Sequence, residues 1–211
     1  MPKIIFGSRK GGTGKTTCAH TLAAGLSLLQ QRAVMVTVDH RPIRGAQGRP
    51  YGILDGREET RLLALLEREL AQDEWLIFDL GATRTGTGDT VLADGVDLFI
   101  CPVSPDLEAL EIGVDYLKQH PRVMALPSIW PTNARAAQVD SYILDTLEQY
   151  HPGRVLTPMP QAHATKMFLE NQWVPEAFAT PLRNTCRALA RQVIDQIAIL
   201  DTSNASQADG A

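Results

Sequence analysis

Short apolar runs alternate along the chain with longer segments whose apolar residues recur at helical spacing. Six runs rich in β-branched residues predict strands, at residues 2–6, 33–38, 75–79, 97–103, 123–130 and 154–158. The helical spacing predicts six helices, at residues 14–30, 58–72, 106–119, 135–150, 163–172 and 183–200. This alternation is typical of an α/β protein in which helices flank a mostly parallel sheet.

Two segments depart from this pattern. Residues 40–57 contain two prolines and four glycines, which predict a long loop that is either mobile or shaped by a ligand. Residues 202–211 are small or polar and have nothing to bury, so they are expected to form a disordered tail. Because no repeat or linker divides the chain, residues 1–201 are expected to fold as a single domain.

Composition narrows the class of protein. Of the 211 residues, 44% are hydrophobic and 21% charged, which is the balance of a globular protein and excludes a disordered or collagenous chain. The three scattered cysteines, Cys18, Cys101 and Cys186, favour reduced thiols, and a strand pattern that begins at once favours a cytoplasmic protein without an export signal. No apolar stretch approaches the ~20 residues that span a bilayer. The net charge of −4 means that any binding to nucleic acid must come from a local patch.

A glycine-rich run, KGGTGKTT at residues 10–17, lies between the first predicted strand and the first predicted helix. Glycines let successive backbone N–H groups converge on a phosphate, and the helix N-terminus adds a partial positive charge. In such a loop Lys15 places its charge near the β- and γ-phosphates and the Thr16 hydroxyl ligates Mg²⁺. The strict motif GxxxxGK[ST] is not met, because Arg9 stands where its first glycine would be. The residues predicted to bind the nucleotide here are Gly11, Gly12, Thr13, Gly14, Lys15, Thr16 and Thr17.

This run, with its second lysine at Lys10, resembles the deviant Walker loop of the ParA/MinD family of ATPases, most closely the ParA-type partition and positioning ATPases. The resemblance extends over nearly the whole chain and implies a P-loop fold that binds ATP and Mg²⁺. It further implies that Lys10 reaches across a dimer interface to the nucleotide of a second subunit. ATP would then hold a homodimer together, because its charge is neutralised partly by the partner chain.

Acidic residues follow two of the predicted strands, at the edge where open α/β sheets bind ligands. Asp79 matches the acid that holds a Mg²⁺-bound water, although an acid at this place also caps turns. Asp39 resembles the first acid of the family's D-x-D element and is predicted to be catalytic together with Lys10 and Lys15. The second acid of that element is replaced by Arg41, which cannot orient a water molecule or act as a base. Either Asp39 or His40 substitutes, or hydrolysis is slow or absent; Arg41 itself could contact phosphate or an acid across the dimer.

Two further elements of the family are matched over only a few residues each. Residues Thr85, Thr87 and Asp89 lie where relatives carry a switch segment, and an ordinary loop explains them nearly as well. Asn133 and Pro160 follow later strands at the places where relatives enclose the adenine, and a turn-forming asparagine is about as good an explanation.

A basic stripe is predicted near the C-terminus, because residues spaced by four lie on one side of a helix. Its members are Arg183, Arg187 and Arg191. ParA relatives bind DNA through basic residues in this region once ATP has formed the dimer, so the stripe predicts salt-dependent, non-specific DNA binding. The alternative is a solvated face with intrahelical pairs, for which Asp195 is one partner. The chain has no lysine or arginine after residue 200, which disfavours the basic membrane helix of MinD-like proteins.

The resemblance implies an ATPase that dimerises on ATP·Mg²⁺, binds DNA non-specifically and partitions or positions a cargo. A cargo-bound partner protein would stimulate hydrolysis, and the ATP-bound protein would associate with the nucleoid. Two alternatives remain open: a slow or non-hydrolysing ATP-dependent switch, suggested by Arg41, and an amide-forming enzyme of the same superfamily.

Overall fold

The structure is a computed structural model and describes residues 2–38, 48–67, 74–81, 95–120, 122–131, 137–161, 165, 168 and 178–208. Several positions singled out in the sequence lie outside these residues, namely Asp39, His40, Arg41, Thr85, Thr87, Asp89 and Asn133.

A parallel sheet forms the centre of the molecule. In the described part of the chain it has six strands, β1 Lys3–Phe6, β2 Arg32–Thr37, β3 Gly52–Asp55, β4 Glu74–Asp79, β5 Leu98–Val103 and β6 Val123–Pro127. Their spatial order is β3-β2-β4-β1-β5-β6, and every pairing is parallel. The strand order therefore reverses at β1, and the carboxyl end of β1 is the place where such sheets bind ligands.

Helices cover both faces of this sheet and confirm the α/β class predicted from the sequence. The described helices are α1 Lys15–Leu28, α2 Glu59–Glu67, α3 Leu107–Gln119, α4 Ala137–Tyr150 and α5 Thr180–Ala208. Alternate strand residues serve the two layers: Ile4 and Phe6 are buried with α1 and α5, whereas Ile5 is buried with α2, α3 and α4. Strands buried on both faces explain the nearly continuous apolar runs in the sequence.

The strands differ from the sequence prediction at two places, residues 52–55 and residues 154–158. Residues 52–55 form the edge strand β3 inside the segment predicted as a loop. The glycines that indicated a loop instead allow close packing, since a Cβ on Gly56 would lie 2.5 Å from Val36 Cγ1. Residues 154–158 form a single parallel bridge, Val155 with Ala125, in place of the predicted strand.

The C-terminal helix also differs from its prediction. It starts at Thr180 and continues to Ala208, so residues 202–208 are helical where the sequence predicted a disordered tail. A helix that is already packed extends without a new nucleation step, and residues 201–208 contain neither glycine nor proline to stop it. Thr202 Oγ1 donates a 2.8 Å hydrogen bond to the carbonyl of Ile199 in this added part.

A buried polar cluster fixes the chain just before β3 against α1. His20 Nδ1 lies 2.8 Å from the Tyr51 hydroxyl, to which Arg49 Nη1 donates a 3.0 Å hydrogen bond. Arg49 Nη2 donates to the carbonyl of Phe168 at 2.8 Å, and the Phe168 ring stacks on His20. Burial, followed by the charge of Arg49, lowers the pKa of His20 to about 3, so the imidazole is neutral at physiological pH. The cluster is thus built from satisfied polar groups and gives Arg49 a structural role.

Candidate nucleotide-binding site

The glycine-rich loop leaves the sheet at the carboxyl end of β1, where the strand order reverses. Gly7 continues the ladder through its N–H, which donates a 3.1 Å hydrogen bond to the carbonyl of Ile100. Residues 8–14 then connect β1 to the first turn of α1. The loop is therefore flanked by the ends of β4 and β5, the two strands that pair with β1.

Two glycines give this loop its shape. Gly12 and Gly14 have φ values of 80° and 87°, which L-residues with a side chain rarely adopt. Cys18 N–H makes the first helical hydrogen bond, 2.8 Å to the carbonyl of Gly14. The N–H groups at the start of α1 precede that bond and so have no intrahelical acceptor, and no acidic residue lies in the first turn. This end of α1 is therefore suited to bind an anion.

Lys15 lies within the loop rather than in solvent. The residue is buried, with 7% of its surface exposed, and its Nζ donates a 2.7 Å hydrogen bond to the carbonyl of Lys10. The ammonium group is thus held against the backbone of the loop by the chain itself. A phosphate in the loop would meet a cation that is already positioned, which reduces the cost of ordering it on binding.

Asp79 lies beside this loop at the end of β4. It pairs in register with Phe6, the last residue of β1, and it is 1% exposed. Its charge and that of Lys15 both act on the Cys18 thiol, whose pKa is raised first of all by burial. The carboxylate of Asp79 and the hydroxyl of Thr16 are hard oxygen ligands of the kind that Mg²⁺ prefers, so the residues present fit this ion. Their predicted role in holding the metal stays a prediction.

The carboxyl end of β2 also lies next to Asp79. Val38 N–H donates a 3.0 Å hydrogen bond to the carbonyl of Asp79, which fixes the residue immediately before Asp39. Asp39 itself lies outside the described residues, and so does Arg41, which replaces the second acid.

Sequence reasoning missed Ser128, the residue that follows β6. Its hydroxyl donates a 2.6 Å hydrogen bond to the carbonyl of Thr13, and both residues are fully buried. A bond of this kind contributes about 1 kcal/mol to stability. The Thr13 hydroxyl faces inward and has no hydrogen-bond partner within the described part of the chain, so Thr13 serves the loop through its backbone. A separation of 115 residues concealed this contact from any local pattern.

The residue after Ser128 is strained. Ile129 has a φ of 55°, in the left-handed region that is unfavourable for a β-branched residue. Its side chain approaches within 3.3 Å of the position that a Cβ on Gly14 would occupy. The next residue, Trp130, forms a parallel bridge with Pro160, and its N–H donates a 3.0 Å hydrogen bond to the carbonyl of Met159. Pro160, predicted to lie near the base, is thereby joined to the loop that is predicted to bind the phosphates.

Lys10 contacts α3 of its own chain. Its ammonium group forms ion pairs with Asp106, the N-cap residue of α3, and with Glu108 Oε2 at 2.7 Å. The preceding residue, Arg9, lies over the Tyr116 ring of the same helix, with Cζ 5.3 Å from the ring centroid. Two successive cations of the loop therefore face α3, a contact that the sequence did not predict.

The predicted arginine stripe lies on the outer side of α5. Arg183 and Arg191 are exposed and Arg187 is half-buried, whereas Cys186 and Ala190 face α1. Arg183 Cζ lies 5.6 Å from the centroid of the Phe178 ring. Among the described residues no ion pair involves any of the three arginines, so the alternative pair of Arg191 with Asp195 is not formed.

This geometry defines a P-loop nucleotide-binding fold: a central strand, a glycine-rich turn that ends in lysine and threonine, a helix, and an acid on the adjacent strand. Solved structures of the ParA and MinD type have the same fold. The chain resembles MinD of Aquifex aeolicus, solved in complex with MinC, at 12% sequence identity and a TM-score of 0.68, over 92% of this chain and 96% of MinD.

Two further structures extend this comparison. A variant of McdA from Cyanothece in complex with ATP has 12% identity and a TM-score of 0.66, over 92% of this chain and 96% of McdA. A ParA family ATPase from Chlorobium tepidum has 18% identity and a TM-score of 0.64, over 90% of this chain and 98% of that protein. At these identities the likeness establishes the fold, and it confirms at that level the resemblance identified from the loop.

Other comparisons are negative. No model of a protein family matches the sequence, and no curated protein matches it. Within the described residues, none of the helices combines the length and the apolar character needed to cross a membrane.

Proposed function

We propose that this protein is an ATPase of the ParA type that forms a homodimer around ATP·Mg²⁺. The observation that carries the proposal is the loop with two lysines: the ammonium of Lys15 is bonded to the backbone of the loop, and that of Lys10 extends from the loop to Asp106 of α3. The loop has one cation for the nucleotide of its own chain and a second that a neighbouring chain's nucleotide could use. The ATP bound by McdA, which shares this fold, supports the choice of nucleotide.

The proposed catalytic and metal-binding roles follow the same arrangement. Lys15 neutralises charge on the phosphates, and Thr16 and Asp79 hold Mg²⁺, which supplies further neutralisation when bound. Asp39 acts on the attacking water in place of the acid that Arg41 replaces. A chain that lacks the usual second acid hydrolyses ATP slowly, so the nucleotide-bound dimer is long-lived.

The proposal is tested by the mass of the protein in solution. Light scattering with ATP·Mg²⁺ is expected to give twice the 23.1 kDa of the monomer, and ADP or no nucleotide is expected to give the monomer. The Lys10→Ala variant should remain monomeric with ATP, because it lacks the cation that bridges to the second chain's phosphates. An unchanged mass under all conditions, or a variant that dimerises as well as the native chain, would count against the proposal.

Binding of non-specific DNA by the dimer is the second part of the proposal. The three arginines of α5 have no acidic partner among the described residues and point away from α1, so they form a cationic face on a protein of negative net charge. Dimer formation doubles this face, which would let the ATP-bound form grip DNA while a cargo-bound protein sets the time of release. On this basis the protein partitions or positions a cargo on the nucleoid.

Replacing the three arginines with glutamine tests this second part. The slope of log affinity against log salt should become less negative by up to about 5, since six contacts in a dimer each contribute about 0.9. Fluorescence anisotropy with duplexes of two unrelated sequences measures it in the presence of ATP. A matched triple variant removes three exposed arginines from other surfaces, at Arg32, Arg61 and Arg122. An equal change of slope in both triple variants would show that net charge, and not the arginines of α5, determines DNA binding, and it would reject this part of the proposal.

A further inference from the structure

Lys10 is held inside its own chain by two carboxylates. Asp106 and Glu108 both contact its ammonium group, and only 20% of the Lys10 side chain is exposed. Hydrogen bonds from Lys10 to Asp106, and then to Glu108, raise the pKa of Lys10, so the group stays charged at any physiological pH. The lysine that is proposed to serve a second chain is therefore already occupied in the monomer.

The acidic side of this contact is fixed in place. Asp106 accepts hydrogen bonds from Ser104 Oγ at 2.7 Å and from the backbone N–H of Ala109 at 2.9 Å. The second bond caps α3, so Asp106 cannot follow Lys10 if the lysine moves. The Glu108 side chain, in contrast, is 72% exposed, and among the described residues its ion pair is with Lys10 alone. An ammonium group that leaves this place must give up both carboxylates.

We propose that Asp106 and Glu108 form a latch that retains Lys10 in the monomer and that the triphosphate of a second copy competes with them for it. This inference rests on the proposed function. An ammonium has three donors, and two of them serve these carboxylates, whose negative charges repel a phosphate that approaches the third. Two negative charges hold it in the monomer, so only a strongly charged ligand displaces them. A triphosphate carries one phosphate group more than a diphosphate and is the better competitor.

The Glu108→Gln variant tests the latch without touching the cap of α3. It should lower the ATP concentration at which half of the protein is dimeric by about 1.4-fold to fivefold, because each of the two ATP molecules in a dimer replaces one exposed ion pair. Glu111→Gln is the matched control: it removes the same charge from an exposed position on the same helix, where no contact with Lys10 exists among the described residues. A Glu108→Gln variant that needs as much ATP as the control, or more, would overturn the latch.

A second measurement separates failure of the latch from failure of the proposed dimer. An amine-reactive ester is added to the nucleotide-free protein, and labelling of each lysine is quantified by mass spectrometry. Lys10 should react several times more slowly than the exposed Lys118, and Glu108→Gln should reduce that difference in part, because Asp106 still holds the ammonium group. Equal labelling rates in the native protein would overturn the latch even if ATP forms the dimer. Protected Lys10 in a protein that stays monomeric with ATP would leave the contact intact and reject its role in dimer formation.

Discussion

Replacement of Lys15 with alanine is expected to lower the affinity for ATP about a hundredfold or more and to remove measurable hydrolysis. The ammonium group of Lys15 is held over the loop by its 2.7 Å hydrogen bond to the carbonyl of Lys10. Charge-assisted hydrogen bonds to phosphate are roughly twice as strong as neutral ones, and loss of one preorganised donor commonly costs about 10²–10³ in rate. Titration with a fluorescent ATP analogue and a phosphate-release assay measure both effects.

The control for this prediction is Lys118→Ala. It removes the same charge from an exposed place on α3, where the lysine Nζ lies 4.5 Å from the centroid of the Tyr150 ring and, in the part of the chain that the structure describes, does not contact the glycine-rich loop. Thermal unfolding without nucleotide should be recorded for both variants, since Lys15 also braces the loop. ATP affinity of the Lys15→Ala variant within threefold of the native value, with the fold intact, would refute the assignment of the phosphate site.

Replacement of Gly25 is expected to have the largest effect on stability. A Cβ on Gly25 would lie 2.0 Å from the carbonyl oxygen of Cys186 and 2.9 Å from the Cβ of Ala190, so α1 and α5 would have to separate. Overpacking of this kind costs about 3 kcal/mol or more when backbone must move, against a gain of about 1 kcal/mol in helix propensity for alanine. Gly25→Ala should therefore lose about 2 kcal/mol of unfolding free energy, and Gly25→Val should lose more.

A second helical glycine provides the comparison. A Cβ on Gly113 in α3 would lie 2.7 Å from Val103 Cγ2, a side-chain atom that has more freedom to shift than backbone. Gly113→Ala gains the same helix propensity and should be less destabilised than Gly25→Ala. Urea unfolding followed by circular dichroism measures both variants without nucleotide. A Gly25→Ala protein as stable as the native chain would mean that the two helices are not in such close contact.

Most of the sheet was predictable because its strands are buried on both faces and read as continuous apolar runs. The prediction failed where a local rule conflicted with packing. Gly52 and Gly56 indicated a loop, yet a short edge strand needs only one partner, and at Gly56 the chain passes too close to Val36 for a side chain. The end of α5, residues 202–208, was predicted to be disordered for a similar reason. Its polar residues bury nothing themselves, but they extend a helix whose earlier part is packed against α1.

In the candidate site, too, the local features were predictable from the sequence and the long-range contacts were not. The glycines, Lys15 and Thr16 lie in one local run, where spacing alone indicates a phosphate loop. The partners of that run come from distant parts of the chain: Lys10 meets Asp106 over a separation of 96 residues, and Thr13 meets Ser128 over 115. No periodicity in the sequence encodes such contacts, since they depend on which strand ends come together at the sheet edge.

The strained turn after β6 has a consequence for nucleotide choice. Ser128 holds one end of the candidate site through Thr13, and Trp130 holds the other through Pro160. Ile129 stands between them in a conformation with little freedom to adjust. If Pro160 contacts the base as the sequence predicts, residues 128–130 fix the distance between the base and the phosphates. Selectivity would then depend on the length of the nucleotide as much as on its individual groups.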